Sequence, residues 1–351
     1  YRDLSSYGQE QFRTPNLDRL AMNGIRFTQA YSGSPECAPS RGSLMTGMHM
    51  GHCRIRANTS VRGQDHLLSE DVTVAEVLKK GGYATGFIGK WGIGLPGTEG
   101  APDKQGFDFS YGYYDQARAH GFFPHYLMRN GKPEPIPENY GFNMKRVNTY
   151  NGRPVDRLED VKNIYDEHGH LVPDGVPVAS AAKYSEDLFQ NEALSFINKN
   201  RDKPFFLYFS PNAVHSKVKD TPQHYRDRVS AEDGTAYEGA VIAVDDQVGK
   251  MLAMLEKHGL EEDTLIIFSS DNGANIPEGG LSEPYRGGKG KDTQQEGWVH
   301  TPSILSWPGT IPEGITYDGK MATIDFYTTM AAAIGKTAPK RCDGNNLLPY
   351  F

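Results

Sequence analysis

Cys37 stands two residues before Pro39 and four before Arg41, in the run Cys37-Ala38-Pro39-Ser40-Arg41. A helix-prone stretch, Gly42-Ser43-Leu44-Met45-Thr46-Gly47, follows it. Proline is tolerated in a first helical turn. Residues i and i+4 share a helix face, so Cys37 and Arg41 can look into one pocket. By composition alone the cysteine is ordinary, and a small buried residue at a helix start is the commoner fate of an isolated Cys. Asp271-Asn272-Gly273 closes an apolar run. It reads as a turn, for which these residues are well suited, or as a hard-cation site, since carboxylate and amide oxygens suit Ca²⁺ or Mg²⁺. Lys90, in Gly89-Lys90-Trp91-Gly92, reads on its own as a solvated lysine in a glycine turn. His215, in Ser210-Pro211-Asn212-Ala213-Val214-His215, reads as structural or as an acid, because imidazole titrates near neutrality.

The elements that must position these groups come from the apolar pattern. Strands are predicted over Ile25–Tyr31, Ala84–Gly89, Pro204–Ser210, Thr264–Ser270 and Pro302–Ser306. Phe205–Phe209 and Leu265–Phe268 are nearly continuous in apolar residues, which suits strands covered on both faces. Helices are predicted over Pro15–Met22, Val74–Lys80, Tyr184–Asn198 and Tyr237–His258, the last with Gly259 as its stop. Strands alternating with helices make this an α/β protein with active loops at strand ends. Residues 94–178 are rich in Gly, Pro, Asn, Tyr and Asp and lack periodicity. They read as a long irregular insertion that shapes the substrate site.

The chain has 351 residues and a net charge of −7, with no basic stripe, which argues against a nucleic-acid partner. An acidic protein that handles an anion needs local positive charge instead. Three cysteines, Cys37, Cys53 and Cys342, make no disulfide framework; Cys53 and Cys342 read as one bridge or two thiols. No apolar run approaches membrane-spanning length.

The blocks together resemble the type I, formylglycine-dependent sulfatases of the alkaline phosphatase-like superfamily. Cys37-Ala38-Pro39-Ser40-Arg41 resembles their Cys-x-Pro-Ser-Arg, in which the cysteine is oxidised to formylglycine. Gly89-Lys90-Trp91-Gly92-Ile93-Gly94 resembles Gly-Lys-Trp-His-Leu-Gly, with Gly92 in place of the histidine. Arg286-Gly287-Gly288-Lys289-Gly290-Lys291 and Glu296 to Pro302 resemble Arg-Gly-x-Lys…Glu-Gly-Gly-x-Arg-x-Pro, with His300 in place of the arginine. The blocks keep the family's order from Cys37 to Pro302.

The resemblance implies a mostly parallel central sheet sandwiched by helices. It implies Cys37, Arg41, Lys90, His215 and Lys291 as catalytic residues, with Asp271, Asn272 and residue 37 on Ca²⁺, ahead of Mg²⁺. Counting back from Glu296 selects Lys291, whereas counting forward from Arg286 selects Lys289; Lys291 is favoured, and Lys289 is set with the substrate-binding residues. Those are Arg118, His120, His125, Lys289 and His300, with His120 and His125 also open as substitutes for the missing histidine. A hydrated aldehyde at position 37 would attack sulfur, and its second hydroxyl would allow sulfate to leave.

Segments like Tyr111 to His120 occur in bacterial polysaccharide sulfatases, so a sulfated carbohydrate is the expected substrate and a formylglycine-generating maturase the expected partner. The expected location is the periplasm or outside the cell. A single catalytic domain over 1–351 is expected, preceded by an Asp-Asp pair on a first strand and followed by a smaller C-terminal subdomain. The alternatives are a phosphomonoester or phosphonate-ester hydrolase of the same superfamily, and a sugar-binding homologue without catalysis.

Overall fold

The computed structural model describes residues 1–59, 63–116, 118–139, 149–150, 153–154, 182–215, 218–229, 235–292 and 294–351. Helix α1 (Pro15–Met22) starts on a proline, where the missing N–H is an orphan in any case. Strands β1 (Ile25–Phe27) and β2 (Ala30–Tyr31) divide the single strand expected over Ile25–Tyr31. Helix α2 (Cys37–Thr46) ends at Gly47, whose φ of 68° is the left-handed cap that glycine supplies. Helix α3 (Val74–Lys80) opens with a Thr73–Glu76 capping box and leads into β3 (Ala84–Lys90).

The segment read as an irregular insertion is regular in its first half. It forms β4 (Phe109–Tyr113), β5 (Tyr126–Arg129) and β6 (Lys132–Pro135). A short pair, β7 (Thr149–Tyr150) and β8 (Arg153–Pro154), follows, and the rest of 140–178 lies outside the described residues. The chain continues through α4 (Ser185–Asn200), β9 (Phe205–Ser210), α5 (Gln223–Arg226) and α6 (Ala236–His258). It then forms β10 (Ile266–Ser269), β11 (Ser303–Ser306), β12 (Ile315–Tyr317), β13 (Met321–Ala322) and α7 (Ile324–Ala333).

Among the described residues a five-stranded sheet has the order β6-β5-β4-β3-β9 and a four-stranded sheet β10-β11-β1-β12, while β13-β2 and β7-β8 form two-stranded pairs. Strands β4, β3 and β9 are parallel, and β5 and β6 add antiparallel at one side. Pro133 and Pro135 sit on β6, an edge strand, where a missing N–H costs no ladder bond. Strands β9 and β10 were expected to be covered on both faces. Apart from buried Ser210, their residues are only half-buried, because both strands line a shared cavity of about 840 Å³. The C-terminal ends of β3, β9 and β10 deliver Lys90, Ser210 and Asp271–Asn272, the place where open α/β sheets bind ligands.

Beside β3 the core is aromatic. Trp91 packs on Phe87 and Phe107 at ring distances of 5.2 and 5.5 Å, and its indole N–H donates to the Gly100 carbonyl. Burying side chains of this size is worth about 2–3 kcal/mol each. That fixes the strand end from which Lys90 projects. All three cysteines are free. Among the described residues no helix is long and apolar enough to cross a membrane.

Candidate active site

Cys37 is the first residue of α2 and is 1% exposed. The Ala38 N–H donates to Asn58 Oδ1 at 2.9 Å, which fastens this helix start. Around the Cys37 sulfur lie Lys289 Nζ at 3.3 Å, Asn272 Oδ1 at 3.5 Å and His215 Nε2 at 3.9 Å. These are strong hydrogen-bonding groups gathered on a thiol, which is a weak partner for them. An oxygen-bearing side chain at position 37 fits this surround better than the sulfur does.

Arg41, one turn further on, points to the same place, as the helical spacing required. Its Nε and a terminal nitrogen reach Asp271 Oδ2 at 2.8 and 2.7 Å. Another nitrogen donates to the Lys90 carbonyl and to Ser210 Oγ. Ser210 Oγ in turn donates to the Lys90 carbonyl at 3.0 Å. Arg41 therefore pins the ends of β3, β9 and β10 together, and its donors are spent on protein groups. Ser210 was not singled out from sequence; its one signal is that it ends the Phe205–Phe209 run.

Lys90 is 1% exposed, and its Nζ has no hydrogen-bond partner among the described residues. A buried, unpaired ammonium is costly unless an anion meets it. Burial, with Arg41 and Lys289 nearby, pushes Lys90 down to about 8. For Asp271 burial acts upward, but Arg41, Lys289 and Lys90 outweigh it and hold the carboxyl below its usual range. Burial, then Lys90, Lys289 and His120, push His215 well below the usual imidazole range. Lys289 Nζ lies 2.8 Å from His215 Nε2. An ammonium only donates, so Nε2 accepts and His215 is the neutral imidazole with its proton on Nδ1. Arg41, Lys90 and Lys289 set three positive charges against the one carboxylate of Asp271, inside a chain of net charge −7.

The structure brings Lys289 to Cys37, not Lys291. The Lys289 N–H donates to the Ala274 carbonyl and its own carbonyl accepts the Ile276 N–H, so it pairs beside the segment that follows Asp271–Asn272. The chain then reverses at Gly290, and Lys291 pairs back on Gly288 and is exposed. Alanine at 289 is expected to lower turnover about 10²-fold, the scale of losing one stabilising donor. Alanine at 291 is expected to stay within about twofold of wild type; steady-state kinetics on an aryl sulfate compares the two.

His300 does not reach the cavity. It is fully buried, with Nε2 2.8 Å from the Thr28 carbonyl, Nδ1 near Glu296, and its ring stacked on Tyr285 at 3.7 Å. Both nitrogens and one ring face are used in packing, so it is a core residue rather than a substrate contact. Arg118 is buried, with its guanidinium 4.7 Å from the Tyr126 ring centroid. His120 stacks on His215 at 4.3 Å and is part of the site. His125 is half-buried just before β5.

Gly92, where the resembling motif has histidine, has a φ of +76°, and a Cβ there would meet Gln116 Oε1 at 2.3 Å. The Gln116 carboxamide fills that space, is 3% exposed and has neither polar atom hydrogen-bonded among the described residues.

For a hard cation, the fit rests on donor type. Asn272 puts Oδ1 3.5 Å from the Cys37 sulfur, and the neighbouring Asp271 meets Arg41 through Oδ2. They supply two of the six to eight oxygens that Ca²⁺ takes.

The Sulfatase family model matches residues 1–336. The N-acetylgalactosamine-6-sulfatase of Rattus norvegicus is 31% identical over 367 residues, which cover 99% of this chain and 62% of that protein. This chain thus spans less than two thirds of that relative's length. The N-acetylgalactosamine-6-O-sulfatase of Bacteroides thetaiotaomicron is 29% identical, over 96% of this chain and 71% of that one. The solved structure of Ps i-CgsB in complex with k-i-k-neocarrahexaose superposes with a TM-score of 0.77 at 28% identity, over 100% of this chain and 73% of that one. The alkaline phosphatase-like α/β fold expected from the sequence is the fold of these neighbours, and the chain belongs to the sulfatase family.

Proposed function

We propose that the protein hydrolyses a sulfate monoester on a carbohydrate, with residue 37, converted from cysteine to formylglycine, as nucleophile. The observation that carries this reading is Lys90, a buried ammonium near residue 37 whose Nζ has no hydrogen-bond partner among the described residues. A sulfate group there meets Lys90 and Lys289, which take the charge on its nonbridging oxygens. The hydrated aldehyde supplies an oxygen nucleophile that a thiol does not. Asp271, Asn272 and residue 37 would hold a Ca²⁺ ion, which would supply positive charge to the pocket.

Arg41 keeps the three strand ends in register, so Lys90, Asp271 and residue 37 stay within one pocket. His215 and Lys289 form the proton store for the departing alcohol, with His215 able to take charge once an anion offsets the nearby cations. His120, stacked on His215, is then a contact for the alcohol side of the substrate in this reading. The N-acetylgalactosamine-6-sulfatases and the neocarrahexaose complex among the relatives support a sulfated sugar. A formylglycine-generating maturase is then a required partner, and export to the periplasm or medium is the matching location.

The test is sulfate release by the complete protein, co-expressed with a maturase, from a panel of sulfated monosaccharides and oligosaccharides. Turnover of at least one sugar sulfate is expected. No release from any of them, with the aldehyde verified at position 37, would overturn the substrate class.

A further inference from the structure

We propose that Glu186 is a positioning residue for His215, and that the proton on its carboxyl couples the orientation of that imidazole to pH. The inference rests on the hydrolase reading for its kinetic consequence, but its structural basis is separate. Glu186 lies in the first turn of α4 and is 1% exposed. Its Oε1 accepts the Asn212 N–H at 3.2 Å and the Ser185 hydroxyl at 3.3 Å. Asn212 is the anchor of the loop that ends at His215, because its carbonyl accepts the His215 N–H at 3.0 Å. A continuous line therefore runs from a helix side chain, through the Asn212 peptide, to the backbone N–H of His215, whose imidazole lies beside Lys289 and residue 37.

The groups that face Glu186 are Ser185 on its own helix, the Tyr113 phenol on β4, Tyr184, Gln247 on α6 and the Asn212–Ala213 amides. None of these is a cation, so nothing among them holds the carboxylate ionised by charge. Its second oxygen, Oε2, has no hydrogen-bond partner among the described residues. Burial pushes the carboxyl up to about 7, against the bond from Asn212. Ionised Glu186 is the stronger acceptor for the loop amides, and protonation slackens their hold. Turnover should therefore rise as pH rises through about 7. Stability runs the other way: the folded carboxyl binds its proton more tightly than an unfolded one near 4.5, so its contribution is full below 4.5 and lost through about 7.

Two readouts test this with the complete, matured protein. The first is kcat and KM on an aryl sulfate across pH, for wild type and Glu186→Gln. The expected result is a fall in kcat of about tenfold with KM within about twofold, and loss of the limb near neutrality. The second is the ring nitrogen signal of His215 followed by NMR across the same range. Wild type should show a step near neutrality that Glu186→Gln lacks. Should Glu186→Gln fail to fold, Glu186→Asp replaces it and should keep a step, displaced in pH. A step or limb unchanged in Glu186→Gln overturns the proposal. Inactive wild type would sink the hydrolase reading alone, and the NMR step would still decide the role of Glu186.

Discussion

Replacing Cys37 by alanine is expected to cost roughly 10⁴-fold or more in sulfate release, the scale on which losing a nucleophile acts. The fold should survive. The side chain is small, lies at a helix start fastened through Ala38 and Asn58, and its contacts are with polar groups rather than core residues. A serine at position 37 should be nearly as inactive, because one hydroxyl gives a nucleophile but no second proton with which to expel sulfate. Circular dichroism and steady-state kinetics on the same preparations separate the two effects. Activity in the alanine variant within tenfold of wild type would refute the nucleophilic role.

Lys90→Met is expected to move activity and stability in opposite directions. Activity should fall by about 10²–10³-fold, since a preorganised charge at the sulfate is lost. Stability should rise. Lys90 is driven from its ordinary 10.5 to about 8 by burial first. Between those values the unfolded chain binds the proton that the folded chain refuses, so stability rises with pH there, and the full penalty stands below about 8. That penalty is about 3 kcal/mol for a shift of this size. The methionine variant should therefore melt several degrees higher at neutral pH, by roughly 2–4 °C per kcal/mol at most for a chain of this size. Inorganic sulfate should raise the melting temperature of wild type and leave the variant unmoved. A variant that is both inactive and less stable would mean that Lys90 is a structural residue.

Much of the frame was legible because local signals agreed with the tertiary outcome. Helix α6 begins at a Thr235–Glu238 capping box and ends at Gly259, and the apolar spacing between them is helical. Cys37 and Arg41 meet in one pocket because both sit on one face of α2. Strands β4 to β6 were missed because Tyr111-Gly112-Tyr113 and the proline-bearing β6 carry weak strand patterns, and their pairing with β3 supplies the rest. The choice between Lys289 and Lys291 depends on a long-range register with residues 274–276, which spacing along the chain does not encode. His300 was misassigned for the same reason. The rings that enclose it, Tyr1, Tyr31 and Tyr285, come from three separate parts of the chain. Glu186 had no motif at all; its role follows from burial and from the Asn212 backbone amide that it meets only in the folded state.

The account stands on a pocket that gathers cations and an oxygen nucleophile around a sulfate ester. Its most direct test is kcat/KM for an aryl sulfate against the matching aryl phosphate, using the complete protein with the aldehyde at position 37 verified by mass spectrometry. A clear preference for the sulfate ester, abolished by Cys37→Ala, is the predicted result. Faster turnover of the phosphate, or sulfate turnover that survives Cys37→Ala, would contradict it.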